Sequence, residues 1–261
     1  MPTYLDKILA AHREAARADK RDLGRLLAEA GRCPAPRGFN AALKSRPTVA
    51  VIAEIKRRSP SKGTLAPDLD PALLAKAYAT AGAACLSVLT DAEFFGGSAD
   101  DLAAARSAMD LPVLRKDFTV SPADVCDARL MGADAVLLIV AALSAGELTE
   151  LLGTTRRLGL DALVEVHDEA EAELALGAGA EAIGVNQRDL VTFEVDTRRA
   201  VRVARSLPGH VVRVAESGVR DRDDVRRLAD AGFDAVLVGE ALVTAPSPGA
   251  ALAALTAVEV P

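Results

Sequence analysis

Gly132-Ala-Asp-Ala-Val-Leu-Leu-Ile139 reads as a junction between two kinds of structure. Its glycine can take the left-handed conformation that ends a helix, and the apolar run behind it has the length of a buried strand. The same pattern stands in Gly82-Ala-Ala-Cys-Leu-Ser-Val-Leu89, Gly179-Ala-Glu-Ala-Ile-Gly-Val185 and Gly232-Phe-Asp-Ala-Val-Leu-Val238. It recurs about every 50 residues, a period that marks repeated supersecondary units. Four further apolar bursts lie between these: Val49-Ala-Val-Ile-Ala-Glu54, Pro112-Val-Leu-Arg-Lys116, Asp161-Ala-Leu-Val-Glu165 and His210-Val-Val-Arg-Val-Ala-Glu216. Eight strands alternating with helical stretches predict parallel βαβ units, which close most naturally into a (βα)8 barrel, the TIM barrel. The competing architecture is a doubly wound open sheet, but the first strand lacks its Gly-x-Gly-x-x-Gly turn. Residues 1–47 precede the first strand. A helical pattern around Leu5, Ile8 and Leu9, then Cys33-Pro-Ala-Pro36, predicts a helix and a linker belonging to the same domain as a barrel over 48–261 and covering one end of it.

Composition agrees with layered α/β packing. Half of the 261 residues are hydrophobic and only 3% aromatic, so Ala, Val, Leu and Ile must fill the core. A net charge of −6, with arginines scattered along the chain, argues against a nucleic-acid partner. Cys33, Cys85 and Cys126 are odd in number and lack metal-ligand spacing, and they read as reduced, mostly buried thiols. The first residues reach charge too soon for a secretion signal, and no apolar run has the length of a membrane span, so a cytoplasmic protein is expected. The three histidines, His12, His167 and His210, look isolated in the sequence and suggest no metal.

Strand side chains alternate between faces. On the first strand Val49, Val51, Ala53 and Ile55 form one wholly apolar set; if that set faces the helices, Glu54 and Lys56 point into the barrel at the strand's C-terminal end. The same reading turns Lys116, Glu165 and Glu216 inward at the ends of strands three, five and seven. The C-terminal face is where such barrels carry their chemistry, because βα loops converge there on side chains held by rigid strands. Two lysines and three glutamates in one mouth suit proton donation and abstraction.

Three loops add to the mouth. The segment Arg57-Arg-Ser-Pro-Ser-Lys-Gly-Thr-Leu-Ala-Pro-Asp68 is long for a βα connection and reads as a functional loop. Ser217-Gly218 after strand seven and Gly239-Glu240 after strand eight occupy the places where barrels bind phosphate, with the Glu240 side chain expected to turn away while its N–H points in. Asn186-Gln-Arg-Asp189 after strand six offers an inward amide and an arginine suited to a carboxylate; a surface pair of Arg188 with Asp189 is the alternative.

Seven ordered motifs resemble those of indole-3-glycerol phosphate synthases: Glu54-Ile-Lys-Arg-Arg-Ser-Pro-Ser-Lys-Gly63, Leu89-Thr-Asp-Ala-Glu-Phe-Phe-Gly-Gly-Ser98, Leu114-Arg-Lys-Asp-Phe118, Val164-Glu-Val-His-Asp168, Val185-Asn-Gln-Arg-Asp-Leu190, Ala215-Glu-Ser-Gly218 and Val238-Gly-Glu-Ala-Leu242. The resemblance runs from the N-terminal helix to the last strand. It implies ring closure, decarboxylation and dehydration of 1-(2-carboxyphenylamino)-1-deoxyribulose 5-phosphate, without a cofactor, in tryptophan biosynthesis; a monomer or weak homo-oligomer is expected. By position it makes Lys116 the general acid for ring closure and Glu165 an acid/base partner for dehydration, with Glu54 and Lys56 in support. It makes Ser59, Asn186, Glu216 and Ser217 positioning residues, and Gly218, Gly239 and the Glu240 N–H the phosphate cradle. Phe95, Phe118, Leu137, Leu190 and Val238 fall where the family holds an anthranilate ring. Two other readings stay open: another phosphate-binding barrel enzyme, such as an aldolase using Lys116 as a Schiff-base nucleophile, and a non-catalytic binding protein on the same fold.

Overall fold

The computed structural model describes residues 3–44, 46–189 and 191–258. Three helices come first, α1 (Tyr4–Ala18), α2 (Leu23–Ala30) and α3 (Phe39–Lys44). The strands follow as β1 (Ala50–Ile55), β2 (Arg58–Ser59), β3 (Gly63–Thr64), β4 (Cys85–Leu89), β5 (Val113–Lys116), β6 (Ala135–Ile139), β7 (Asp161–Val166), β8 (Ala182–Asn186), β9 (Val212–Glu216) and β10 (Ala235–Val238). β2 and β3 form a small antiparallel hairpin, and the other eight close a barrel in the order β1-β10-β9-β8-β7-β6-β5-β4. Every ladder of the barrel is parallel, including the closing one, which sets Glu54 of β1 beside Ser87 of β4. This is the expected TIM barrel. The repeated glycine takes the left-handed conformation each time, with φ of 95° at Gly82, 90° at Gly132 and 84° at Gly179 and Gly232.

The two faces of each strand build two cores. Val49, Val51, Ala53 and Ile55 pack outward against the helices. Ala50, Ile52, Leu114, Leu137, Leu163 and Val214 fill the interior. The barrel is therefore packed shut below, and its clustered charges stand at the upper end.

The segment before β1 departs from the expected helix and linker, because it holds three helices and reaches both ends of the barrel. Thr3 starts α1 as a capping box, its hydroxyl accepting from Asp6 N–H while the Asp6 carboxylate accepts from Thr3 N–H. α1 then spans the mouth. Tyr4 meets Phe94 and Phe193 edge-on, and Arg13 pairs with Glu147 at 2.7 Å. α3 closes the opposite end with Phe39 and Leu43, both in the interior core. One burst of period-3.6 pattern could not show that two short helices behind it would also dock. The strand-one loop likewise contains the β2–β3 hairpin.

Asp134 fastens the linker to the barrel. It is fully buried, and its carboxylate accepts from Arg37 N–H at 2.8 Å, Val113 N–H at 2.8 Å and Arg106 Nη1 at 2.5 Å. Asp134→Ala would strand a guanidinium and two backbone donors, and breaking such a buried charged network costs about 3–5 kcal/mol. Urea unfolding should show a midpoint lowered accordingly, with the slope unchanged.

Candidate active site

A cavity of about 550 Å³ opens at the C-terminal end of the strands, a size suited to a small phosphorylated metabolite. Glu54, Lys56, Lys116, Glu165, Asn186 and Glu216 line its floor, and Ser59, Phe95, Phe118, Leu137, Arg188, Ser217, Gly218, Val238, Gly239 and Glu240 line its walls. All of these were expected from the sequence. Leu190 lies outside the described residues.

On the floor, Lys56 Nζ lies 2.6 Å from Glu54 Oε1, and Lys116 Nζ lies 3.7 Å from Glu165 Oε2 and 3.6 Å from Glu216 Oε2. Burial disfavours the Lys116 charge, but the Glu216, Glu165 and Glu54 carboxylates outweigh it and hold the ammonium well above its ordinary value. Burial, with the charge of Glu165 beside it, pushes the Glu216 carboxyl up to about 8 against the pull of Lys116. Glu54 is held below the usual carboxylate range; burial opposes this, and Lys56 and Lys116 prevail. The floor therefore carries a held proton on Lys116, an ionised Glu54 and a carboxyl at Glu216 that keeps its proton near neutrality.

Asn186 Nδ2 donates to Glu165 Oε1 at 3.1 Å, and Arg188 N–H fixes the amide by donating to its Oδ1 at 3.0 Å. Glu165 thus presents Oε2 to Lys116 and Oε1 to the opposite side. Glu216 sits over Gly184 of β8, where an added Cβ would overlap Glu216 Oε1. The absence of a side chain there is what seats the carboxylate, a role no local pattern reveals. Gly184→Ala should displace Glu216 and lower kcat/KM by about 10²-fold, the scale of a misplaced group, while overpacking costs about 1–3 kcal/mol. Steady-state kinetics beside thermal unfolding would separate the two effects.

Ser217 takes φ of 66°, rare for a residue with a side chain, and Gly218 follows at 75°. Gln187 holds the turn by donating to Ser217 O at 2.7 Å. Gly239 opens the short helix Glu240–Val243. The Glu240 carboxylate leans toward Lys62 at 3.8 Å and Arg188 at 3.6 Å. The alternative pairing of Arg188 with Asp189 is not what the structure shows: Asp189 faces Arg199 at 3.6 Å. Phe193, Val195, Thr197 and Thr244 also line the cavity and escaped the sequence reading, since nothing in their local pattern marks them.

The histidines are less isolated than the sequence suggested. His12 Nε2 of α1 lies 2.9 Å from Asp91 Oδ2 and 3.8 Å from Asp117 Oδ1, a group whose spacing would admit a metal ion. Arg115 donates to the other Asp117 oxygen, Oδ2, at 2.9 Å. His167 lies between Glu165 and Glu171. Sequence could not reveal the His12 cluster, because its members lie on separate elements.

The profile of the family described as indole-3-glycerol phosphate synthase matches residues 5–255. An indole-3-glycerol phosphate synthase from Mycobacteroides abscessus is 53% identical over 255 residues, 97% of this chain and 93% of the relative. Another, from Mycobacterium ulcerans, is 52% identical with the same coverage. Among solved structures, a thiamine phosphate pyrophosphorylase from Pyrococcus furiosus superposes with a TM-score of 0.61 at 17% identity, covering 83% of this chain and 96% of that one. An N-acetylmannosamine-6-phosphate 2-epimerase from Clostridium perfringens gives 0.59 at 13%, covering 75% and 88%. These two share the fold. No helix among the described residues is long and apolar enough to cross a membrane.

Proposed function

The chain belongs to the indole-3-glycerol phosphate synthase family, and from that premise we propose how its mouth divides the reaction. The activity is that of a carboxy-lyase, converting 1-(2-carboxyphenylamino)-1-deoxyribulose 5-phosphate to indole-3-glycerol phosphate, CO2 and water. The observation that carries the assignment of roles is the Lys116 ammonium, set within 3.7 Å of two glutamates beneath an apolar slot.

Phe95, Phe118, Leu137 and Val238 hold the anthranilate ring, with Leu190 expected to complete the slot. The turn at Ser217-Gly218, with Gly239 and the Glu240 N–H, takes the phosphate, and Lys62 and Arg188 supply positive charge beside it. Ser59 and Asn186 orient the chain between these ends. Held so, the ring carbon bearing the carboxylate faces the ketone carbon, and contact at that distance removes much of the entropic barrier. As the new bond forms, Lys116 passes its proton to the carbonyl oxygen. An emerging alkoxide is more basic than an amine, so the raised hold of Lys116 on its proton does not prevent transfer.

Loss of CO2 then restores the aromatic ring and leaves a hydroxyl on the new five-membered ring. Glu165 gives a proton to that hydroxyl, which departs as water. The ionised Glu54, steadied by Lys56, accepts the proton from the neighbouring CH2. The electron sink is the substrate's own ring, so no cofactor is needed. Three free thiols fit a cytoplasmic setting. We read the chain as a monomer or weak homo-oligomer, with 1–47 as an extension of the domain formed by 48–261.

The test is growth of indole fluorescence when the purified protein meets its substrate, with no metal added. A signal supports the assignment; silence with the phosphate compound still bound overturns it. Borohydride trapping separates the aldolase reading, which alone forms a covalent adduct at Lys116.

A further inference from the structure

Proton accounting for this reaction leaves a requirement that the mouth does not meet. Two protons are donated, one to the ketone oxygen and one to the departing hydroxyl, and one is recovered from the CH2. Each turnover therefore takes one proton from solvent. Glu54, Glu165 and Glu216 are 4%, 2% and 1% exposed, and a bound substrate covers them from above.

Behind Glu165 lies a second way in. His167 directly follows β7, two residues beyond Glu165, and its ring lies outside the cavity lining. Its Nε2 lies 3.6 Å from Glu165 Oε1 and is buried without a hydrogen-bond partner. Its Nδ1 lies 3.0 Å from Glu171 Oε2. The same Glu171 oxygen accepts from His167 N–H at 2.7 Å, and Asp168 caps the helix that carries Glu171. The imidazole is thus held edge-on between the two carboxylates. Side-chain exposure rises along this line, from 2% at Glu165 to 13% at His167 and 20% at Glu171.

We infer that His167 is a proton relay, carrying a proton from solvent at Glu171 to Glu165, on the side of that carboxyl turned away from the substrate. The imidazolium releases its Nε2 proton to the Glu165 carboxylate, which passes it to the departing hydroxyl. The ring, left with its proton on Nδ1, turns about its Cβ–Cγ bond to take a proton at the bare Nε2 by way of Glu171 and turns back, so charge and protons balance over the cycle. A small shift of the ring closes the 3.6 Å gap, and catalytic hydrogen bonds are often longer before substrate binds. The inference rests on the role given to Glu165 above.

The charged groups facing His167 are Glu165, Glu171 and Arg199, with Glu216 beyond Glu165. Burial disfavours the imidazolium and Arg199 adds to this, but the hydrogen bond to Glu171 and the two carboxylate charges outweigh them, so it titrates above its ordinary value. The kcat of the intact enzyme should hold while His167 is charged and fall as pH rises through that raised value. Glu171→Gln keeps the backbone contact but removes the charge, and should move this fall to lower pH.

The decisive experiment pairs NMR titration of His167 with kinetics. The His167 midpoint should lie above the ordinary histidine value and drop in both Glu165→Gln and Glu171→Gln. His167→Gln should lower kcat about tenfold, keep KM within twofold, and recover saturably with added imidazole. A midpoint unmoved by either glutamine variant overturns the relay, as does a His167→Gln enzyme with unchanged kcat or a loss that imidazole does not repair. If His167→Gln fails to fold, the pH profile of Glu171→Gln decides, and a fall that does not move overturns the relay. A wild type without turnover would overturn the reading of the mouth and the relay with it, whereas normal turnover in His167→Gln overturns the relay alone.

Discussion

Lys116→Ala should bind substrate nearly as well as the parent protein and turn it over about 10²–10⁴-fold more slowly, with release of CO2 and of indole slowed together. Binding survives because the ring slot and the phosphate turn lie on other elements, and Lys116 touches only the ketone end. Folding survives too. Removing the ammonium leaves Glu54, Glu165 and Glu216 without a shared cation, but such groups take up protons instead of remaining as unpaired buried charge. Lys116→Arg sharpens the test. A guanidinium preserves the charge but does not surrender a proton in this pH range, so it should fail nearly as completely. Full activity in Lys116→Arg would show that charge alone suffices and would remove Lys116 from the role of acid.

Glu165→Gln should separate the halves of the reaction. Glutamine occupies the same space and can still accept from Asn186, which now donates to Glu165 Oε1 at 3.1 Å. It cannot deliver the proton that turns hydroxyl into water. Ring closure and decarboxylation depend on Lys116 and should continue, whereas dehydration should slow by about 10²-fold or more. In a rapid single turnover, CO2 should appear before indole fluorescence, and a hydroxylated, ring-closed intermediate should accumulate. Coincident CO2 and indole at the parental rate would take Glu165 out of the dehydration step. Loss of both together would place it earlier in the sequence.

Much of this architecture could be read from residue order because a barrel converts a one-dimensional pattern into position. Period-2 alternation on β1 separates Val49, Val51, Ala53 and Ile55 from Ala50, Ile52 and Glu54, and the structure keeps that division. Glu54, Lys116, Glu165 and Glu216 stand at strand ends or one step short of them, so alternation and the polarity of the barrel together bring them to one face. What stayed hidden depends on partners far apart in the chain. Gly184 makes room for a carboxylate on the next strand, and His12 finds Asp91 and Asp117 only after α1 has crossed the mouth. His167 stands in the stretch Val164–Asp168, but its geometry against Glu171 depends on where the following helix begins.

Helix α1 also fixes an order of events during synthesis. It is translated before every surface it rests on: Asp91 beneath His12, Glu147 beneath Arg13 and Phe193 beneath Tyr4. At about 5–20 residues per second, roughly 10–40 s pass between the emergence of Tyr4 and that of Phe193. Through that interval the nascent helix carries an apolar face with nowhere to dock, available to a chaperone or a protease. A helix made before the barrel it covers is thus among the last parts to settle, and the catalytic mouth gains its roof only when most of the barrel has left the ribosome.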